Sequence, residues 1–187
     1  MSVGIVSKRY AVALLEYANS KDAARQTYAD ASAIMVSLSS IPNYRQILSN
    51  PTVSQAQKTE YLENVVRGVC GQVSTVMDSF ISLLTREKRS EMFGDMLHNY
   101  LDLYRVEHNI ISAYLISAQP VDASIIKHLE SVINPDGKYS VEWTLKIDTT
   151  LIGGFKLLLD DRLLDASVKT RIDNIKKLLI DNNNRLV

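Results

Sequence analysis

The chain has 187 residues with 21 basic and 21 acidic side chains, a formal net charge of zero. It is long enough for one domain or two small ones, and it lacks the cationic excess that sequence-blind nucleic-acid binding requires. Glycine (7) and proline (4) are scarce, together well below an ordinary share of about 12%, which favours helix over a sandwich or barrel, and a hydrophobic content of 46% excludes wholesale disorder.

Between Ile5 and Arg67 there is no glycine, and only Pro42 and Pro51 interrupt the helical pattern. Val3, Val6, Tyr10, Leu14 and Tyr17 fall on one face of a first helix. A second runs from Asp22 to Leu38 with Tyr28, Ala31 and Met35 on one side, and the prolines bracket a short third piece holding Tyr44, Ile47 and Leu48. Thr52 or Ser54 caps a fourth, which carries Tyr61, Leu62, Val65 and Val66 and is ended by Gly68 and Gly71. Val73, Val76, Phe80 and Leu83 define a fifth helix. Met92, Met96, Leu97, Tyr100 and Tyr104 define a sixth, with Ser90 as its cap. Residues 1–108 therefore read as a six-helix bundle.

The period changes near Asn109. Ile110–Ala118 is β-rich and stops before Pro120, and Ile125, Ile126 and Leu129 restore helical spacing. Asn134-Pro135-Asp136-Gly137 is a turn. Val141, Trp143, Leu145 and Ile147 then alternate with polar residues as a half-buried strand. Leu151–Leu159 is a further apolar stretch opened by Gly153-Gly154. Val168, Ile172, Ile175 and Leu179 form the stripe of a terminal helix capped by Asp165 or Ser167, expected to bury that stripe against the sheet and leave Lys169, Lys176 and Lys177 solvated. Residues 109–187 thus predict a small mixed β-α-β-β-α domain, and the whole chain is mainly α.

Catalytic and metal signatures do not assemble. Gly137-Lys138 lacks the spacing of a phosphate loop, and Gly153-Gly154 lacks the other glycines of a dinucleotide fingerprint and reads as a turn or bulge. His98, His108 and His128 have neither zinc spacing nor cysteine partners. Asp160, Asp161 and Asp165 lack the alternating ligands of a calcium loop. Cys70, the one cysteine, cannot close an intrachain bridge and reads as a small buried hydrophobe. The longest apolar run, Tyr10–Leu15, is far short of the ~20 residues of a membrane span. The sequence predicts a soluble, non-enzymatic protein with no metal, no cofactor and no direct membrane insertion.

Excess apolar surface is the informative feature. On the first helix a second stripe, Ala11, Leu15 and Ala18, widens the one through Tyr10 and Leu14. On the fifth, Met77, Ile81 and Leu84 widen the Phe80 stripe. Such arcs fit either a central place in the bundle or a groove that receives an amphipathic partner helix. Tyr10, Leu14, Met77, Phe80, Ile81 and Leu84 are the candidates for that groove and its floor. Periodicity alone leaves the two readings open.

Arg9-Tyr10-Ala11-Val12-Ala13-Leu14, the run Phe80-Ile81-Ser82-Leu83-Leu84 followed by Arg86-Glu87-Lys88-Arg89, and above all Asp148, Leu151-Ile152-Gly153-Gly154, Asp161-Arg162, Asp165 and Ser167 resemble the motifs of the bacterial F-type ATP synthase delta family, homologous to the mitochondrial oligomycin-sensitivity-conferring protein. Thr149 stands where the family usually has proline and Asp160 where glycine is common. The resemblance covers essentially the whole chain. It implies a non-catalytic stator subunit at the cytoplasmic face of the bacterial inner membrane. Residues 1–108 would bind the amino-terminal helices of the alpha subunits on the catalytic head, and residues 109–187 the carboxy-terminal ends of the b subunits. Arg9, Asp148, Gly153, Gly154, Asp161, Arg162, Asp165 and Ser167 would be its structural motif residues. A helical adaptor or regulator using the same groove outside any membrane complex is the alternative.

Overall fold

The computed structural model describes residues 3–160 and 162–184, with side chains from Gly4 to Lys176 apart from Asp161. The expectations for Asp161 and for the Val3, Lys177 and Leu179 side chains lie outside the described residues. The protein is mainly helical with one small mixed sheet, and the chain divides into two compact units, residues 1–106 and 107–187.

In the first unit the helices are α1 (Val3–Ser20), α2 (Ala24–Ser40), α3 (Tyr44–Ser49), α4 (Gln55–Cys70), α5 (Thr75–Arg86) and α6 (Phe93–Glu107). Ser54 caps α4 by the reciprocal arrangement in which its hydroxyl accepts from the Gln57 N–H and the Gln57 side chain accepts from the Ser54 N–H, satisfying two otherwise orphaned donors. Gly68 lies inside α4 and does not end it. The stop is Gly71, whose φ of 76° and N–H bond to the Arg67 carbonyl form the C-cap. Ser74, not singled out by the sequence pattern, caps α5 through the Met77 N–H. Ser90 is not a cap: it is buried at the start of a 3₁₀ turn (Ser90–Met92) that leads into α6, a common way to enter a helix.

The core of this unit is built from Leu14 and Ala18 of α1, Ile34 and Leu38 of α2, Leu62 and Val66 of α4, Met77, Ile81 and Leu84 of α5, and Phe93, Met96, Leu97 and Tyr100 of α6. On α2 the buried face is Thr27, Asp30, Ala31, Ile34 and Leu38, so Tyr28 and Met35 sit at its margin instead of at its centre. The reason is aromatic: the Tyr28 ring stacks on Tyr104 at 4.2 Å between centroids, and its hydroxyl accepts from the Arg105 guanidinium.

The second unit contains β1 (Ile110–Ser117), α7 (Ala123–Ile133), β2 (Ser140–Ile147), β3 (Phe155–Leu159), β4 (Arg162–Asp165) and α8 (Val168–Asn184). The sheet order is β2-β1-β3-β4, with β1 parallel to β2 and antiparallel to β3. The apolar stretch Leu151–Leu159 supplies one strand, β3, as expected, and a fourth strand, β4, follows it where the sequence reading had none. The tight turn between them passes through Asp160 at φ 46°, which explains why glycine suits this position. Asp160 Oδ1 also accepts from the Ser112 N–H at 3.2 Å.

Ala113, Leu115 and Leu157 form the buried centre of one sheet face, flanked by Val121, Leu129, Ile133, Val141, Trp143, Phe155 and Leu159. Leu145 and Ile147 share that face by register but are 51% and 54% exposed. An eleven-residue helix such as α7 is ~16 Å long, against ~26 Å for an eight-residue strand, so part of the stripe stays uncovered. The α8 stripe also departs from expectation: Val168, Ile172 and Ile175 are exposed rather than buried on the sheet. An amphipathic pattern reports that a face needs an apolar partner, and here this chain supplies little of one.

Two outcomes are expected. Residues 1–108 expressed alone should melt cooperatively with a strong helical circular dichroism signal, and a broad melt with weak signal would contradict an independent unit. Gly154→Val should destabilise the second unit by about 2–4 kcal/mol, read from denaturant unfolding. Gly154 has φ 75°, and a Cβ there would lie 2.3 Å from the Ala166 carbonyl oxygen.

Candidate functional site

Helices α1 and α5 pack on one another and leave a groove between their outer faces that extends onto the turn after α5, at Glu87 and Arg89. One cavity of about 410 Å3 is lined by Ala13, Leu14, Tyr17, Ser79, Phe80, Ser82, Leu83 and Arg86. It shares Ala13 and Leu83 with a second of about 370 Å3 lined also by Val6, Arg9, Tyr10, Glu87 and Arg89. Leu14 and Phe80 form the floor, 2% and 4% exposed, while Tyr10, Tyr17 and Leu83 stand as walls.

The six groove candidates therefore separate. Tyr10, Leu14 and Phe80 line the groove, whereas Met77, Ile81 and Leu84 are wholly buried beneath it and cannot touch a partner. At 100° per residue the buried arc of α5 runs from Val76 through Phe80, Leu84, Met77 and Ile81 to Thr85, about half the circumference. One side of that arc meets the core and the other edge meets the groove. The sequence reading missed Ala13, Ser79 and Ser82 as lining residues. Their signal was small size: short side chains on both helices beside the apolar stripes leave room for another helix.

At the second unit the motif residues form a structural joint. Asp148 Oδ1 accepts from the N–H and hydroxyl of Thr150, at 3.0 and 2.6 Å, closing the 3₁₀ turn Thr149–Leu151. These bonds hold the Asp148 carboxyl below its ordinary range. Gly153 and Gly154 follow, and the Gly153 carbonyl accepts from the Val168 N–H at the start of α8. Asp165 Oδ1 accepts from the Ser167 N–H at 2.9 Å, and Oδ2 from the Thr170 hydroxyl at 2.9 Å and the Lys156 ammonium at 3.1 Å. Ser167 Oγ accepts from the Thr170 N–H, so both proposed caps of α8 act together. Arg162 is exposed on β4, paired in register with Leu159.

Burial and the neighbouring Asp30 carboxylate push the Cys70 thiol up, away from the reactive thiolate. Among the described residues no cluster of three or more His, Cys, Asp or Glu could hold a metal ion, and no helix is long and apolar enough to cross a membrane.

A helical unit with an open groove and a small sheet unit with exposed apolar residues are the features of a protein that assembles with others. The family model for the ATP synthase delta (OSCP) subunit matches residues 6–179. The protein named ATP synthase subunit delta of Phocaeicola vulgatus is 33% identical over 187 residues, spanning all of both chains, and that of Bacteroides thetaiotaomicron is also 33% identical over the same span. A chain of the Toxoplasma gondii mitochondrial ATP synthase hexamer shares the fold, with a TM-score of 0.67 and 21% identity over 93% of this chain and 97% of that one. The chain belongs to the ATP synthase delta (OSCP) subunit family. It is a non-catalytic peripheral-stalk subunit of the F-type ATP synthase, part of a membrane-associated complex.

The Asp165 joint gives a prediction with a defined sign. Hydrogen bonds from Ser167 above all, then Lys156 and Thr170, hold this carboxyl far below the ordinary carboxylate range. A depressed folded-state pKa contributes stability that is present above the unfolded value of about 3.9 and is lost as pH falls below it. Melting temperature should therefore drop on acidification below about pH 4. Asp165→Asn should lower it at neutral pH and flatten the acid limb. An unchanged acid limb in the variant would remove Asp165 as its source.

Proposed function

We propose that the groove between α1 and α5 receives the amino-terminal helix of an ATP synthase alpha subunit, and that residues 109–187 hold the carboxy-terminal ends of the b subunits. Residues 1–108 then serve as a six-helix bundle on the catalytic head, and the chain ties the head to the stalk at the cytoplasmic face of a bacterial inner membrane. The observation that carries the first contact is the groove itself: a floor of Leu14 and Phe80, and walls of Tyr10, Tyr17 and Leu83 opened by Ala13, Ser79 and Ser82. An amphipathic helix laying its apolar face there buries surface that would otherwise stay wet. The stalk contact is supported by the apolar side chains the second unit leaves in water. Leu145, Ile147, Ile152, Leu163, Leu164 and Ile175 are all more than half exposed, apolar surface that a partner would cover.

The mechanical logic follows from rotary coupling. A head that turns with its shaft does no work, so a tether must resist torque through stable interfaces, and this needs neither an acid, a base nor a metal. Shortening the protein to residues 1–109 is expected to preserve its binding to the catalytic head and abolish its binding to b-subunit peptide. ATP hydrolysis by the detached head should stay nearly constant, while ATP-driven proton pumping in reconstituted membranes falls sharply. Full coupled pumping with the shortened protein would contradict the assignment of stalk binding to the second unit.

A further inference from the structure

We propose that the helix seated between α1 and α5 is held by charge at one end as well as by apolar burial along its length, so that its carboxylates lie over Arg9 and Arg89. The proposal rests on the groove being the docking site for the alpha-subunit helix, and it adds the chemistry by which that helix is placed in register. The two ends of the groove differ. Around Ala13, Leu14, Tyr17, Ser79, Phe80, Ser82 and Leu83 the lining is apolar or small, with Arg86 its one charged residue. The other end gathers two guanidiniums, Arg9 and Arg89, and one carboxylate, Glu87.

Glu87 Oε1 lies 3.3 Å from Arg86 Nε, so the single anion is engaged with Arg86. Arg89 spreads over the face of Tyr10, 5.6 Å from the ring centroid, which holds it against the groove wall. Arg9 is exposed on α1 and lines the same cavity. Farther out on the α1 flank, Lys8 and Glu16 stand with Arg9 beside Ile5, Val12 and Ala13. In a chain of zero formal charge, this end is a local cationic excess.

Guanidiniums fixed beside an apolar floor are suited to carboxylates: their planar forks take two parallel hydrogen bonds. A docked helix also displaces water from the groove, which lowers the local dielectric and strengthens the pairing. Apolar burial alone lets an amphipathic helix slide by a turn. A charge contact at one end does not, because a one-turn slip moves the carboxylates ~5.4 Å along the axis.

The test uses the full-length protein and a synthetic peptide of the alpha-subunit amino terminus from the same organism, titrated calorimetrically at about 0.05 and about 0.5 M salt. Arg9→Ala and Arg89→Ala should each weaken binding about 2- to 5-fold at low salt. The double reversal Arg9→Glu/Arg89→Glu should weaken it more than about tenfold, and a peptide whose acidic residues are changed to lysine should recover most of the loss. Circular dichroism confirms that these surface variants stay folded. Binding that ignores both salt and the charge reversals would overturn the proposal and leave the docking reading standing. Absence of peptide binding, binding indifferent to a groove-filling Ala13→Trp, or self-association of the protein blocked by Ala13→Trp would overturn the docking reading and the proposal with it.

Discussion

Everything in the first unit turns on α5, a helix that must satisfy two apolar surfaces at once. Met77, Ile81 and Leu84 are fully buried and anchor α5 among α1, α4 and the turn before α6. Phe80, on the neighbouring edge of the same arc, closes the core from above and becomes the groove floor. Burying one Met, Leu or Ile side chain contributes about 1.5–3 kcal/mol, so the position of α5 is firmly set by its inner face. The groove is therefore rigid by consequence, not by separate design. Its floor cannot move without opening the core.

The second unit solves a different problem, the attachment of a terminal helix to a four-stranded sheet with few apolar contacts. Polar groups do much of that work. The Asp165 carboxylate joins β4, the first turn of α8 and Lys156 of β3 in one hydrogen-bonded cluster, while the positive φ of Gly154 lets the loop pass within contact of Ala166. The motif D-x-S is thus a helix cap with a sheet anchor, and the paired glycines are the close approach that the cap requires. Ile152, a β-branched residue at φ 66° with its side chain 70% exposed, sits in the same loop, where an apolar side chain is held out into water beside Gly153 and Phe155.

Much of this was legible in the sequence, for identifiable reasons. The 3.6-residue period of α1, α4, α5 and α6 and the strict alternation of Val141–Ile147 report local geometry directly, and turn residues such as Asn134–Gly137 punctuate them. What stayed hidden depended on nonlocal facts. Apolar spacing could not divide Phe80 from Ile81, because both lie on one broad arc and only the placement of neighbouring helices separates groove from core. The α8 stripe was read as buried because a pattern records amphipathicity without naming the covering surface. The acids Asp160-Asp161 and Asp165 read as a turn and a helix cap, but the strand β4 between them was missed, because Arg162–Asp165 is only four residues long and too short to show a period. Arg9 and Arg89 belong to two distant motifs, and only the fold brings them to one cavity, where α1 meets the turn after α5.

The central claim, that the α1–α5 groove is where the partner helix docks, is tested most directly by amide chemical-shift mapping of the isotope-labelled protein titrated with the alpha-subunit amino-terminal peptide. The account predicts the largest shifts at Tyr10, Ala13, Tyr17, Ser79, Ser82 and Leu83, with smaller ones at the buried Met77 and Ile81. Shifts centred on α2 or α4, with α1 and α5 unperturbed, would contradict it.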